Sequence, residues 1–179
     1  MTSRADIRYA RAFFDRTEER QTSRQIYLQA DKITALSKVM SEHSNWLESP
    51  SLSKEKKKEI YATVFGEVAK VAGEDLLQLI SLLISSRRES RLPTIIEQWQ
   101  KIYRKKYGIV KTILTMPAKD DEFTSLVEKK LAQEMGRQVE VEVNLDSSII
   151  GGFVLNADGL VSDHSIAGRL GQLRREMLG

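Results

Sequence analysis

The chain has 179 residues, of which 41% are hydrophobic and 30% are charged, a balance typical of folded globular proteins and not of disordered ones. It contains no cysteine, which excludes disulfides, thiolate metal sites and cysteine nucleophiles. The net charge is +3, and the charges are unevenly distributed along the chain. Residues 1–105 carry 19 basic and 14 acidic side chains, whereas residues 106–179 carry 9 basic and 11 acidic ones. A basic first part favours an acidic or amphipathic partner.

Neither a membrane span nor a secretory signal is expected from the sequence. The longest apolar stretch, residues 76–84, is far shorter than the roughly 18 residues that a membrane helix needs, and Gln78 and Ser81 interrupt it. The first residues lack the apolar core of a signal peptide, and acidic residues are interspersed among their arginines. We therefore expect an intracellular protein whose mature chain starts at Met1.

The first hundred residues predict one helix after another. Apolar residues recur at helical spacing from Arg4 to Gln21, and again from a capping Thr22 to about His43. Residues 45–53 form a break that leaves room for one short turn around Trp46 and Leu47. These stretches account for the first three of six predicted helices.

Three longer helices complete this part of the chain. One starts at a capping Ser53 and runs through Phe65, and its first turns are rich in lysine. The next covers residues 76–84, which are apolar almost all round, so we expect it to be the most buried helix. Pro93 suits the first turn of the last one, residues 94–107.

The pattern then changes from helical to mixed. Residues 109–116 are β-branched and strand-like, and residues 120–134 are helical up to a capping Gly136. Residues 139–145 alternate strictly between apolar and polar side chains, which is typical of a half-buried strand.

The last thirty residues predict a hairpin followed by one helix. A glycine pair, Gly151 and Gly152, lies inside an apolar run, and an Asp158–Gly159 turn leads to a short returning strand. Asp163 or Ser165 can cap the final helix. Its apolar stripe consists of Ile166, Leu170, Leu173 and Met177.

Taken together, these elements predict a mainly α protein with two domains. Residues 1–106 form an N-terminal six-helix bundle, and residues 107–179 form a small α+β C-terminal domain. We see no internal repeat and no low-complexity segment in either part.

Three stretches of the sequence resemble the δ subunit family of F-type ATP synthases, which is called OSCP in mitochondria. Residues 9–14, YARAFF, resemble the first helix of that family, and residues 82–96 resemble its L-A-E-x-G-R-L…L-P-x-I stretch. The C-terminal motif is the most specific part, with Gly151, Gly152, Gly168, Arg169, Leu170, Leu173 and Arg174 in place. Arg87 and His164 stand where glycine is common, and Ala167 stands where a basic residue is common.

This resemblance implies a stator subunit without catalytic activity of its own. In the family, the N-terminal domain receives the N-terminal helix of an α subunit in a groove between its first and fifth helices. The C-terminal domain holds the C-terminal ends of the b subunits. Such a link between the catalytic head and the peripheral stalk resists rotor torque, so that proton flow is coupled to ATP synthesis. The resemblance also implies a peripheral location on the cytoplasmic face of the bacterial inner membrane.

The resemblance also indicates which residues contact the α subunit and which contact the b subunits. For the α-subunit helix, we expect the groove to be lined by Tyr9, Ala12, Phe13, Arg16, Leu79, Leu82 and Leu83. For the b subunits of the stalk, we expect contacts from Phe153, Leu155, Ile166, Leu170 and Leu173. Packing in the protein core is the alternative role for each of these residues.

Other candidate sites have simpler explanations. The glycine pair is no phosphate loop, because no Gly-Lys-Ser/Thr follows it and no helix begins there. His43 and His164 are isolated and lack metal-ligand spacing. The acids at 120–122 suit the first turn of a helix, and the basic clusters at 54–58 and 87–91 suit solvated faces. We therefore expect no cofactor and no metal.

The alternative function is a nucleic-acid-binding adaptor that uses the basic clusters. It would bind duplex or RNA with a steep salt dependence, yet the aromatic residues of a single-strand platform are not interleaved with the basic ones. An enzyme is the third choice, since no nucleophile, base and orienting group can be named together. We expect the α and b subunits as partners, no nucleic acid, and a membrane only through the complex.

Overall fold

The computed structural model describes residues 2–42, 52–157 and 159–178, and the chain folds into two compact units. Unit 1 spans Met1–Tyr103 and unit 2 spans Arg104–Gly179. The division falls within a helix, shortly before the boundary after residue 106 that the sequence predicted. The fold class is confirmed as mainly α, with a helical bundle and a small α+β part.

The described residues of the first part contain five α-helices and one turn of 3-10 helix. The helices are α1 (Arg4–Glu19), α2 (Ser23–Glu42), α3 (Lys54–Ala72), α4 (Glu74–Ser85) and α5 (Leu92–Tyr107), with the 3-10 turn at Glu89–Arg91. The short turn expected around Trp46 and Leu47 lies outside the described residues. If that predicted turn is counted as the third helix, α4 corresponds to the fifth helix of the predicted bundle.

Aromatic side chains build the core of unit 1 around the fully buried Trp99 of α5. Phe13 and Phe14 of α1 approach its ring with centroid distances of 5.9 and 6.2 Å, and Tyr27 and Tyr103 approach it at 6.4 and 5.6 Å. Each such pair contributes about 0.5–1.5 kcal/mol beyond the burial of apolar area. These contacts fix α1 within the bundle.

Helix α4 was expected to be the most buried helix, and six of its twelve residues are buried, more than in any other described helix of unit 1 relative to length. Leu76, Ile80 and Leu83 are buried, whereas Leu82 is 53% exposed. Apolar content alone does not show which face is left open, because other helices cover only part of the surface of α4. An apolar side chain is left facing outward on this helix.

Unit 2 is a four-stranded sheet with two helices among its described residues. Its elements are β1 (Val110–Met116), α6 (Asp121–Met135), β2 (Val139–Leu145), β3 (Val154–Ala157), β4 (Leu160–Asp163) and α7 (Ile166–Leu178). The strand order is β2-β1-β3-β4, in which β1 and β2 are parallel and the other two pairs are antiparallel. Val110 lies opposite Val139, and Leu114 lies opposite Leu155.

The core of unit 2 lies between the sheet and α6. Its buried residues are Leu114, Met116 and Val127, with partly buried Phe123, Leu131, Val141, Val143, Phe153 and Leu155 around them. Asp120 caps α6, because its Oδ1 accepts a hydrogen bond of 2.8 Å from the backbone N–H of Phe123. Gly136 ends α6 with a φ of +61°, as the sequence predicted.

The predicted hairpin is confirmed, with one correction to its position. β3 and β4 pair antiparallel, and Ala157 lies opposite Leu160. β3 begins at Val154, so Gly151 and Gly152 precede the strand and are not part of it. Asp158, the first residue of the predicted turn, lies outside the described residues.

Candidate docking surfaces

A groove runs between α1 and α4 in unit 1. Four side chains of each helix recur with the spacing i, i+3, i+4 and i+7, which places them on one face, and α1 adds a fifth one turn further on. The lining consists of Tyr9, Ala12, Phe13, Arg16 and Glu19 from α1, and of Asp75, Gln78, Leu79 and Leu82 from α4. The groove has a volume of about 560 Å³.

Six of the seven residues predicted for this groove lie in its lining. The seventh, Leu83, is fully buried and does not line the groove, so its expected exposure to a partner is corrected. Leu83 follows Leu82 by one position, which is about 100° around the helix, and this rotation turns it into the core.

The middle of the groove is apolar and open. Phe13 and Leu79 are buried, whereas Ala12 and Leu82 are exposed. Because Ala12 has a small side chain, a docked element can approach the backbone of α1 closely at this point. The apolar middle therefore suits a partner that inserts aliphatic or aromatic side chains.

One end of the groove is closed by a buried carboxylate that the sequence reasoning missed. Asp75 is 2% exposed, and its Oδ1 accepts a hydrogen bond from Arg16 Nε at 3.0 Å and forms an ion pair with Arg20 at 3.1 Å. Its Oδ2 accepts from the hydroxyl of Thr22 at 3.0 Å, and Arg16 also donates to Gln78. The network joins the end of α1 to the start of α4. An acid in the first turn of α4 was the only available signal.

The turn that follows α4 lies next to the other end, at Tyr9. The backbone N–H of Arg88 donates to the carbonyl of Leu83 at 2.8 Å, and the N–H of Arg87 donates to that of Ile84 at 3.1 Å. These two bonds form a Schellman motif, in which Arg87 has a φ of +54°. This is the position where the resembling family commonly has glycine, and the positive φ explains that preference. The turn places the guanidinium carbon of Arg88 5.9 Å from the ring centroid of Tyr9.

A second buried carboxylate holds the start of α1. Asp6 accepts from the backbone N–H of Ser3 at 2.7 Å and from Arg91 at 3.0 Å, and Ser3 in turn caps α1. Burial raises the pKa of Asp6, but the hydrogen bonds from Ser3 and the charge of Arg91 outweigh it, so that its pKa lies below the ordinary value. Asp6 is therefore held ionised at neutral pH.

The surface of unit 2 carries a different kind of candidate site. Ile166, Leu170, Leu173 and Met177 are all exposed along α7, and Leu170 is 62% exposed. Three of the five residues predicted to contact the stalk lie in this stripe, namely Ile166, Leu170 and Leu173. The other two, Phe153 and Leu155, are partly buried and pack against the core of unit 2.

Further apolar side chains are exposed in unit 2 that the sequence reasoning did not select. Ile150 precedes the glycine pair, and Leu160 and Val161 lie on β4. β4 has four residues, too few for an alternation of apolar and polar side chains to show which face of the sheet is covered. The sequence therefore did not indicate that these apolar residues are exposed.

The glycines of the C-terminal motif allow close backbone approach at the start of α7. A Cβ at Gly152, where φ is +81°, would lie 2.3 Å from the carbonyl oxygen of His164. A Cβ at Gly168 would lie 2.5 Å from a carboxylate oxygen of Asp163. The backbone N–H of His164 donates to the carbonyl of Phe153 at 2.9 Å across this contact. Close packing therefore explains both glycines.

The first turn of α7 is fixed by its cap. The hydroxyl of Ser165 accepts a hydrogen bond of 3.0 Å from the N–H of Gly168, and the carboxylate of Asp163 accepts one of 2.8 Å from the N–H of Ser165. Hydrogen bonds from the side chain and backbone of Ser165 lower the pKa of Asp163. His164 lies with its ring centroid 5.0 Å from that of Phe153.

Among the described residues, no group of three or more histidine or acidic side chains is placed to hold a metal ion. Within the same residues, every helix is too short or too polar to cross a membrane.

Comparisons with known proteins identify the family. The profile of the ATP synthase delta (OSCP) subunit matches residues 5–177. The ATP synthase subunit delta of Fusobacterium nucleatum is 25% identical over 175 residues, which cover 97% of this chain and 98% of that protein. The corresponding subunit of Prochlorococcus marinus strain MIT 9303 is 31% identical over 167 residues, which cover 92% of this chain and 90% of that protein.

The fold is also similar to that of a solved structure. One chain in a cryo-EM structure of the Toxoplasma gondii mitochondrial ATP synthase hexamer superposes with a TM-score of 0.70, covering 99% of both chains at 19% sequence identity. Both the sequence match and the shared fold agree with the motifs at residues 9–14 and 148–178. The chain belongs to the ATP synthase delta (OSCP) subunit family.

Proposed function

We propose that this chain joins the catalytic head of an F-type ATP synthase to its peripheral stalk through two separate docking surfaces. As a member of its family, the chain is a structural stator component and not a catalyst, and its partners are other subunits of the ATP synthase complex. Its groove between α1 and α4 takes the N-terminal helix of an α subunit, and its C-terminal unit holds the ends of the b subunits. Residues 1–106 thus serve the head and residues 107–179 serve the stalk.

The geometry of the groove between α1 and α4 is the main support for the proposal. Two rows of side chains at helical spacing face each other across a space of about 560 Å³, with an apolar middle and polar ends. A third helix fits between two helices when its own apolar stripe fills the space between their ridges. Phe13 and Leu79 supply the floor for such a stripe, and Leu82 supplies an exposed rim.

The exposed stripe on α7 supports the second half of the proposal. Soluble proteins expose large apolar patches mainly where a partner covers them. Leu170, Leu173 and Met177 continue along α7 away from its capped first turn, so that the b subunits can pack along the helix.

The physical role of such a link is to resist torque. The rotor drives ATP synthesis only if the head does not turn with it, so the head must be held by a continuous stator. Helices bound in apolar grooves can hold strongly when a few buried anchors are well packed. The chain then couples proton flow to ATP synthesis without binding a nucleotide, at the cytoplasmic face of the bacterial inner membrane.

Titration of the full chain with a peptide from the N-terminus of its own α subunit tests the groove. We expect saturable binding, which Leu82→Asp weakens at least about ten-fold because a charge would be placed against the apolar stripe of the peptide. Leu28→Asp on α2 is the matched control, since Leu28 is also exposed but lies outside the groove. Absence of binding at high micromolar peptide would overturn the proposal for the groove.

A further inference from the structure

The two ends of the groove between α1 and α4 differ in how their charges are compensated. At one end, Asp75 accepts a hydrogen bond from Arg16 and forms an ion pair with Arg20. Arg16 also donates to Gln78, which lines the groove at the same end. A docked helix therefore meets a carboxylate at this end whose charge is already paired with two guanidinium groups.

At the other end, the guanidinium group of Arg88 is left for a partner. It is exposed and lies over the ring of Tyr9, a residue of the groove lining. Among the residues that the structure describes, Arg88 forms no ion pair. Two carboxylates of the same region are already used, because Asp6 pairs with Arg91 at 3.0 Å and Glu89 pairs with Lys57 at 2.7 Å.

The position of Arg88 is set by the backbone and by Tyr9 together. The Schellman motif after α4 turns the chain at Arg87, whose φ of +54° is uncommon for a residue with a side chain. The distance of 5.9 Å to the ring of Tyr9 is within the range of a cation–π contact. A guanidinium held in this way loses less conformational entropy when it binds a second group.

We propose that Arg88 binds an acidic side chain of the docked helix, in a role that rests on the proposed function of the groove. The occupant is then a helix with two features: an apolar stripe for the middle of the groove, and a carboxylate that reaches Arg88 at the end marked by Tyr9. Guanidinium groups pair with carboxylates through two parallel N–H···O bonds, which gives the contact directional specificity. Arg88 thus fixes the position of the helix along the groove, while the apolar contacts supply most of the affinity.

The test is a double-mutant cycle on the full chain with the α-subunit peptide. We expect Arg88→Gln to weaken binding about five-fold at about 0.1 M salt, the upper range for a partly exposed ion pair. At about 1 M salt, where the screening length falls to about 3 Å, the loss should shrink below about two-fold. Arg88→Lys should keep part of the affinity because it keeps the charge. Arg11→Gln removes the same charge from an exposed site of α1 outside the groove lining and should change binding less than about two-fold.

The peptide provides the second arm of the cycle. Each of its acidic residues is changed to the amide in turn, and one of these changes should weaken binding to the natural chain but not to the Arg88→Gln variant. If no acidic residue couples to Arg88 while Leu82→Asp still weakens binding at least about ten-fold, the role of Arg88 is wrong and the groove assignment stands. If the natural chain does not bind the peptide at all, the proposed function of the groove itself is wrong.

Discussion

The two candidate docking surfaces differ in how complete they are without a partner. The groove of unit 1 lies between two helices whose inner faces are buried, and Asp6 and Asp75 hold both ends of α1. Helix α7 of unit 2 is capped at its first turn by Ser165, but none of its described side chains from Ile166 to Met177 is buried.

This contrast indicates that the helices of the groove are buried by unit 1 itself, whereas the stripe of α7 can be buried only by a partner. A rim residue of the groove can be changed without disturbing the core beneath it. By contrast, a partner that covers the stripe of α7 would supply the burial that the helix lacks, and it would stabilise unit 2 by mass action. The predictions below test that contrast, beginning with the largest expected effect.

Gly152→Ala should destabilise unit 2 by about 3 kcal/mol, because the new Cβ would meet the carbonyl of His164 in a backbone conformation that disfavours side chains. Hydrogen exchange should show lost protection in residues 110–157 and unchanged protection in α1 to α4. Gly159→Ala is the matched control, since Gly159 also has a positive φ but nothing within 4 Å of its Cβ position. Equal losses in the two variants would show that the close approach at Gly152 does not matter.

Leu170→Gln should leave the free energy of unfolding within about 0.5 kcal/mol, because Leu170 is exposed in the free chain. It should weaken binding of a peptide from the C-terminus of the b subunit at least about ten-fold, since that partner would bury the side chain. Leu126→Gln on α6 is the control, as Leu126 is equally exposed at 62%. Calorimetry measures the binding of the peptide, and chemical denaturation measures the stability of the chain. A large loss of stability would place Leu170 in the core instead.

The same contrast explains what the sequence could and could not predict. Helices and strands follow from local periodicity, so α6 and β2 were found within one or two residues of their bounds. Whether an apolar residue faces the core or a partner depends on which elements pack beside it, and periodicity does not contain that information. Leu82 and Leu83 look alike in the sequence, yet one is exposed and the other is buried.

Contacts between distant residues were also beyond the sequence reasoning. Asp75 lies 59 positions from Arg16, and nothing in either local pattern indicates that they meet. The sequence shows that Arg87 stands where the family commonly has glycine. The reason for the glycine became clear only from the φ angle of +54° at this position. Local pattern thus predicted the groove helices, and tertiary packing determined the chemistry of the groove ends.

Asp6→Asn should lower the free energy of unfolding of unit 1 by about 1 kcal/mol at pH 7, because it weakens both the cap of α1 and the pair with Arg91. The pKa of Asp6 is lowered in the folded state from 3.8. Its contribution is therefore complete above that value and is lost as the pH falls through the lower folded pKa. Denaturation curves of the natural chain and the variant should thus converge in acid.

Asp15→Asn serves as the control for that experiment, since Asp15 is exposed on the same helix and the substitution removes the same charge. We expect it to change the free energy of unfolding by less than about 0.5 kcal/mol at neutral pH. A constant difference between Asp6→Asn and the natural chain at every pH would show that the effect of Asp6 does not depend on its charge.

Arg87→Gly has the smallest expected effect and the opposite sign, a gain of about 0.5 kcal/mol in the free energy of unfolding. Glycine relieves the backbone strain of the positive φ, which costs about 1–2 kcal/mol with a side chain, but it raises the entropy of the unfolded chain. Arg87→Ala also removes the guanidinium and keeps the strain, so a gain in the glycine variant alone assigns the effect to the backbone. Because the glycine variant keeps the Schellman motif that places Arg88 over Tyr9, it should bind the α-subunit peptide as the natural chain does. Weaker binding would mean that Arg87 itself contacts the partner, so that two arginines bind the docked helix at this end of the groove.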